Sequence, residues 1–419
     1  TQQAQRLQQQ QQQQQFVSSS AEHRFGASAQ DIDMPVPAPQ APGSAEASRT
    51  AVSRQARDAG WELTQLRYGR VERNQFTVAQ TARSNDGLCD LATGRVYLFD
   101  RRIRDTIYGM VLRAVSGVRR DGVVHLDGGH FAIKVFERRL VSQRKARTGQ
   151  AVQEDPLREL AYQQFLSQPG HDNVLRLHAC FQDTQYIYAV LPLAGMELYD
   201  LIAMHGPLSE QTARQIFVEM LAAIEYCNSR GVAHRDISPE NFLLDTNQGI
   251  HPILIDFGLA YMMEPSAAAD LDHTAMDLPP RPWRPIPYSM FIGKLLYAAP
   301  EMWSNQPYDG PTIDLWSAIV TLFVMVFKSP PWNRARVSQR RDGYVLIVLQ
   351  SNLPAFLRLY NFNASDLLID LLQRSLRENP NERLSLAGVR AHPWTSDAHG
   401  GGGAPGGGGG ASEPDPNRR

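Results

Sequence analysis

Strand-like and helix-like segments segregate along this chain rather than alternate, and that restricts the folds open to it. Residues 109–115, 130–136 and 186–193 read as strands, with a helix-like stretch at 155–166 between the second and third. After about residue 200 the pattern turns helical, at 210–229, 313–327 and 364–375. A strand-rich part with one main helix, followed by a larger helical part, is an α+β, two-lobed layout. A cleft between two such lobes is a natural ligand site.

The ends of the chain differ from its middle. Residues 1–57 are Gln- and Pro-rich, with unbroken glutamine over 8–15, and 395–419 are Gly-rich. Neither stretch buries enough apolar surface to offset the entropy of ordering, so both read as disordered tails. The glutamine run gives a compositional route to self-association. Residues 58–104 form an extension without legible chemistry. It has strand-like pieces at 75–78 and 95–99 and a turn signal at Asn85-Asp86-Gly87. The compact domain is expected over 105–394.

Composition narrows the class. Of 419 residues 42% are hydrophobic and 20% charged, with net charge −1, which excludes a wholly disordered, collagen-like or polybasic chain. No nucleic-acid partner is expected. The longest apolar run, 318–327, is too short to span a bilayer, and no leader pattern opens the chain. Cys89, Cys180 and Cys227 are few, odd in number and widely spaced, so they read as buried free thiols. A cytoplasmic or nuclear setting follows, without secretion or a membrane span.

Only four of the 42 basic residues are lysine: Lys134, Lys145, Lys294 and Lys328. A lysine here therefore asks what an ammonium does that a guanidinium cannot. Lys134 lies in the strand-like Phe131-Ala132-Ile133-Lys134-Val135-Phe136, and Glu159 sits on the next expected helix. A buried ammonium needs such a partner.

Three further segments follow in order: His234-Arg235-Asp236-Ile237-Ser238-Pro239-Glu240-Asn241, then Ile255-Asp256-Phe257-Gly258, then Ala299-Pro300-Glu301. Together with the lysine strand they resemble the eukaryotic protein kinase family. The resemblance covers 105–394. Asp314-Leu315-Trp316-Ser317, Pro330-Pro331-Trp332, Arg383 and His392-Pro393-Trp394 agree with it.

The resemblance implies ATP and Mg²⁺ as cofactors and protein Ser or Thr hydroxyls as substrates. It implies that Lys134 holds the α- and β-phosphates and pairs with Glu159. Asp256 and Asn241 would supply oxygen ligands to the metal. Asp236 would orient the substrate hydroxyl and accept its proton. Gly109, Val111 and Ala132 would cover the nucleotide and Leu243 would underlie it. Val190 falls at the gatekeeper position, with backbone groups of Leu191 and Leu193 facing adenine. Glu197 would meet the ribose, and with Glu240 it would attract basic substrate residues. Arg235 would receive a phosphate from the segment before Ala299, where Ser289 lies nearest the usual site. Glu301 and Arg383 would form a buried ion pair.

The pattern breaks at three places. The first two positions of the family's glycine motif hold Arg104 and Thr106, and the interval from Gly109 to Lys134 is lengthened. Ser238 stands where lysine is usual, and Lys294 stands where threonine is usual, as if hydroxyl and ammonium were exchanged. Gln163 stands where the family prefers an apolar residue, and needs a polar partner. The third carboxylate of basophilic members, ten residues after Asp314, is Val324. Two readings stay open: a working Ser/Thr kinase, or a pseudokinase scaffold.

Overall fold

The computed structural model describes residues 66–396 apart from 150–151, 153, 246–248, 267–282, 289–291 and 333–343. The glutamine run, the C-terminal glycines and Ser289 lie outside the described residues.

The small lobe is a seven-stranded sheet. Its strands are β1 (Val71–Val78), β2 (Ser84–Asp90), β3 (Arg95–Thr106), β4 (Gly109–Arg120), β5 (Val123–Glu137), β6 (Ala179–Gln182) and β7 (Tyr186–Pro192). They run in the order β1-β2-β3-β4-β5-β7-β6 with antiparallel neighbours. β1 also meets the start of β5 in parallel, at Thr77 with Val123 and Val78 with Val124. That contact closes the upper halves of the strands into a small barrel around Phe76, Val78, Cys89, Val96, Leu98 and Val124.

β3, β4 and β5 serve this barrel and the site together. They span 12, 12 and 15 residues, and register shifts after Phe99 and after Val115 bend them. The boundary expected between residues 104 and 105 therefore falls inside β3. The lengthened interval before Lys134 is the barrel's β4–β5 hairpin, turning at Asp121-Gly122. The turn expected at Asn85-Asp86-Gly87 is instead part of β2. A Cβ at Gly87 would lie 2.7 Å from Tyr97 O, so this glycine permits close strand packing and marks no turn.

Two helices complete the small lobe: α1 (Arg138–Gln143) and α2 (Pro156–Leu166). Asp155 caps α2 by accepting from Leu157 N and Arg158 N, and Pro156 sits in the first turn.

The larger lobe holds α3 (Leu198–His205), α4 (Glu210–Ser229), α5 (Gly310–Phe327), α6 (Leu353–Tyr360), α7 (Asp366–Ser375) and α8 (Leu386–Ala391). Short strands β8 (Val232–Ala233), β9 (Phe242–Asp245), β10 (His251–Leu254) and β11 (Tyr261–Met262) line its upper surface. α5 is apolar on every side, and 16 of its 18 residues are buried. Among the described residues it is the one helix long and apolar enough to cross a membrane, and it forms the centre of this lobe. Val324 packs in that core.

Arg383 donates to Glu301 with Nη1–Oε1 at 2.8 Å and Nη2–Oε2 at 2.6 Å, its guanidinium over the Trp316 ring. Removing one partner leaves a buried charge without compensation. Arg383→Met should lower the unfolding free energy by about 3–5 kcal/mol in a urea titration. A loss under about 1 kcal/mol would show the pair to be dispensable.

Candidate active site

β5 carries Ala132 and Lys134 two residues apart, on one face of the strand. Lys134 Nζ donates to Glu159 Oε1 on α2 at 2.6 Å. Burial would lower the Lys134 ammonium, but Glu159 and Asp256 outweigh it and raise the pKa, so the lysine stays charged. Val111 stands opposite Lys134 on β4, and Val190 is buried on β7 opposite Ile133. Leu191 pairs with Ala132, and Leu193 follows the strand half-buried. Ala132 from the small lobe and Leu243 from β9 border one apolar cluster that includes Leu191.

The hairpin between β3 and β4 departs most from expectation. Thr106 pairs with Gly109, so Ile107 and Tyr108 make a tight two-residue connection. A Cβ at Gly109 would lie 2.0 Å from Val135 O; this glycine is required by packing on β5. Tyr108 is buried and donates to Glu154 O at 2.8 Å. Arg104 donates to Glu197 Oε1 at 2.6 Å. Glu197, expected at the ribose or at basic substrate residues, is thus engaged within the chain.

The segment from His234 to Asn241 is held from below by α5. Asp314 accepts from His234 N and Arg235 N, both at 2.8 Å. Burial pushes its carboxyl up to about 7 against those two donors. His234 Nε2 meets Ile255 O at 3.0 Å and its Nδ1 accepts from Asp236 N, which fixes the tautomer with the proton on Nε2. Burial lowers its pKa, so the ring is neutral. Phe257 packs edge-on against that ring. Arg235 and Asp256 hold left-handed backbone angles, φ 64° and 65°. Arg235 turns its Nε to Leu259 O at 2.8 Å and stacks over Tyr261.

Asp236 is the centre of the cluster. Asn241 Nδ2 donates to its backbone oxygen and to Oδ2, each at 2.7 Å. Lys294 Nζ donates to Asp236 Oδ2 at 3.3 Å and to Ser238 Oγ at 2.6 Å, with Glu240 Oε2 at 3.7 Å. Burial would lower the Lys294 ammonium, and Asp236 and Glu240 reverse that and raise it. Gly293 makes the approach possible. Its φ is +92°, and a Cβ there would lie 2.6 Å from Arg235 O. Asp236 Oδ1 is buried with no hydrogen-bond partner among the described residues.

Gln163 is buried and donates to Leu175 O at 3.2 Å, which is the polar partner its position requires and a tether for α2. Glu154 was not legible as a site residue. Its side chain lies where a Cβ on Gly258 would meet it at 3.2 Å. Burial, Asp256 and Glu159 push its carboxyl up to about 8. Nothing in its spacing from Glu159 marks it; only the loop that returns it to Gly258 does.

Residues 114–395 match the protein kinase domain family, and the chain belongs to it. CBL-interacting protein kinase 21 of Oryza sativa subsp. japonica is 34% identical over 272 residues, 64% of this chain and 45% of that protein. Serine/threonine-protein kinase SIK1 of Mus musculus is 30% identical over 279 residues, 64% of this chain and 32% of that protein. The probable serine/threonine-protein kinase MARK-A of Dictyostelium discoideum is 31% identical over 232 residues, 54% of this chain and 19% of that protein. The chain spans about half the length of these relatives or less.

Gly293→Ala should force the backbone off Arg235 O and carry Lys294 away from Asp236. The expected cost is about 1–3 kcal/mol in thermal unfolding. An unchanged melting temperature would show that the approach needs no glycine.

Proposed function

We propose that this chain is a serine/threonine protein kinase, transferring the γ-phosphoryl group of ATP to protein hydroxyls. Asp236 Oδ2 accepts from both Asn241 Nδ2 and Lys294 Nζ while Oδ1 stays unpartnered among the described residues, and that arrangement carries the reading. Phosphoryl transfer asks a protein to align two oxygens and to neutralise spreading charge. Asp236 Oδ1, buried and unpartnered among the described residues, is suited to accept the substrate hydroxyl's hydrogen. Lys294 takes the neutralising part, and Ser238 orients its ammonium. Lys134, kept charged by Glu159, is suited to the α- and β-phosphates. Val111, Ala132 and Leu243 would enclose the adenine ring. Val190, Leu191 and Leu193 would bound its outer edge.

The residues present fit magnesium. Two ammonium groups, Lys134 and Lys294, face the carboxyl groups of Glu159, Asp236, Glu240 and Asp256, an excess of acidic groups even with the Glu154 carboxyl held protonated. Asn241 spends its amide hydrogens on Asp236, which leaves its oxygen for other work. Among the described residues no cluster of three acidic, His or Cys ligands exists. Magnesium suits such a site, because it takes one or two protein oxygens and completes its shell with phosphate and water. Asp256 and Asn241 would hold it. When bound, it would screen the phosphate charge that Lys134 and Lys294 do not reach.

Glu197 and Glu240 are both met by cations of the chain, Arg104 and Lys294, so selection for basic substrate residues is not part of this reading. The three buried free thiols accord with a reducing cytoplasmic or nuclear setting. The scaffold reading draws on Arg104 and Thr106, which replace glycines in a closed hairpin.

Labelled ATP with magnesium and a general protein substrate separates the two, with Asp236→Asn as the blank. Wild type should transfer label well above the blank, and Lys294→Met should lower kcat about 10²–10³-fold. Restoring the family's usual order, with Ser238→Lys and Lys294→Thr together, should recover most of that loss. Wild type no better than Asp236→Asn would favour the scaffold.

A further inference from the structure

Residues 66–69 run across the back of α2 before β1 begins, and the contacts there are specific. Arg67 N donates to Gln164 Oε1 at 2.9 Å, and Gln164 Nε2 donates back to Arg67 O at 3.1 Å. Gly69 N donates to Cys180 O at 2.7 Å and bridges Phe181 in parallel. A Cβ at Gly69 would lie 2.6 Å from the Phe181 ring, so only glycine lets the segment lie this close. Leu66 and Tyr68 pack on the cluster that contains Leu140 of α1, Leu160 of α2 and Ile187 of β7.

α2 needs such a grip. Two of its six buried residues, Glu159 and Gln163, are polar, so apolar burial supplies only part of its hold. Its other polar ties include Gln163 to Leu175 O, Met262 N to the Tyr162 hydroxyl at 3.2 Å, the Tyr226 hydroxyl to Leu166 O at 2.7 Å, Arg144 to Asp155 at 3.0 Å, and Asp155 N to Gly258 O at 3.4 Å. Gln164 lies five residues beyond Glu159, roughly 140° around the helix. The segment thus grips α2 away from the face that meets Lys134.

We propose that residues 66–69 are an intramolecular strap that positions α2, and that Leu66, Tyr68 and Gln164 are positioning residues for the Lys134–Glu159 pair. This gives the extension a role. A chain whose strap is displaced keeps its larger lobe but loses its hold on Glu159. The consequence for nucleotide rests on the proposed role of Lys134; the consequence for α2 does not.

The test uses the full chain in three forms: wild type, Gln164→Ala, and the double variant Leu66→Ser with Tyr68→Ser. Amide hydrogen exchange is followed in α2, α4 and α5, and binding of a non-hydrolysable ATP analogue with magnesium is measured alongside. Exchange in α2 should quicken about tenfold or more in both variants, while α4 and α5 keep wild-type protection. Analogue affinity should fall about five- to twentyfold. Wild-type α2 exchange in Gln164→Ala, the milder change, overturns the strap whatever the enzyme's activity. Quickened α2 exchange with unchanged affinity, in an assay where Lys134→Met weakens analogue binding, also overturns it, because Glu159 would then not depend on the strap. If wild type binds no analogue, the proposed function falls, and the α2 exchange alone decides the strap.

Discussion

The ion pair between Lys134 and Glu159 is the contact on which the small lobe's arrangement turns. Burying two charges costs several kcal/mol per ion, and only good geometry and further opposite charge return it. β5 fixes the lysine, because Lys134 is paired to Val111 on one side and to Ala189 on the other. Glu159 sits on a short helix with a mixed buried face. The movable partner is therefore the helix. Gln163, Tyr162, Asp155 and the segment before β1 each tie it to a different neighbour.

The larger lobe solves a second problem, the placing of Asp236. α5 sends Asp314 up to hold the backbone amides of His234 and Arg235 in the loop that carries Asp236. Gly293 brings its own strand of backbone against that loop, and the next residue delivers an ammonium to Asp236. The ammonium and hydroxyl that flank the aspartate are both present; they arrive from opposite segments relative to the family's usual order. Charge of the same sign reaches the same neighbourhood by a different route.

Much of this was legible in sequence. The helices at 210–229 and 155–166 have sharp ends because Ser209 and Asp155 cap them. The pairings of Lys134 with Glu159, Glu301 with Arg383, and Lys294 with Ser238 all follow from motif positions. What escaped was long-range. The barrel of the extension depends on β1 meeting β5 across some 45 residues, which no local pattern records. Gly87 looked like a turn because its neighbours favour turns, whereas its real constraint is a carbonyl on the adjacent strand. Arg104 with Glu197, and Glu154 against Gly258, join segments that only the folded hairpin and loop bring together.

The most direct measurement is a crystal structure of the full chain with magnesium and a non-hydrolysable ATP analogue. Lys134 Nζ should lie between Glu159 and the α- and β-phosphates, with Asp256 and Asn241 on the metal and Lys294 still beside Asp236. A nucleotide bound elsewhere, or a Lys134 turned out of the cleft with Glu159 released, would contradict that arrangement.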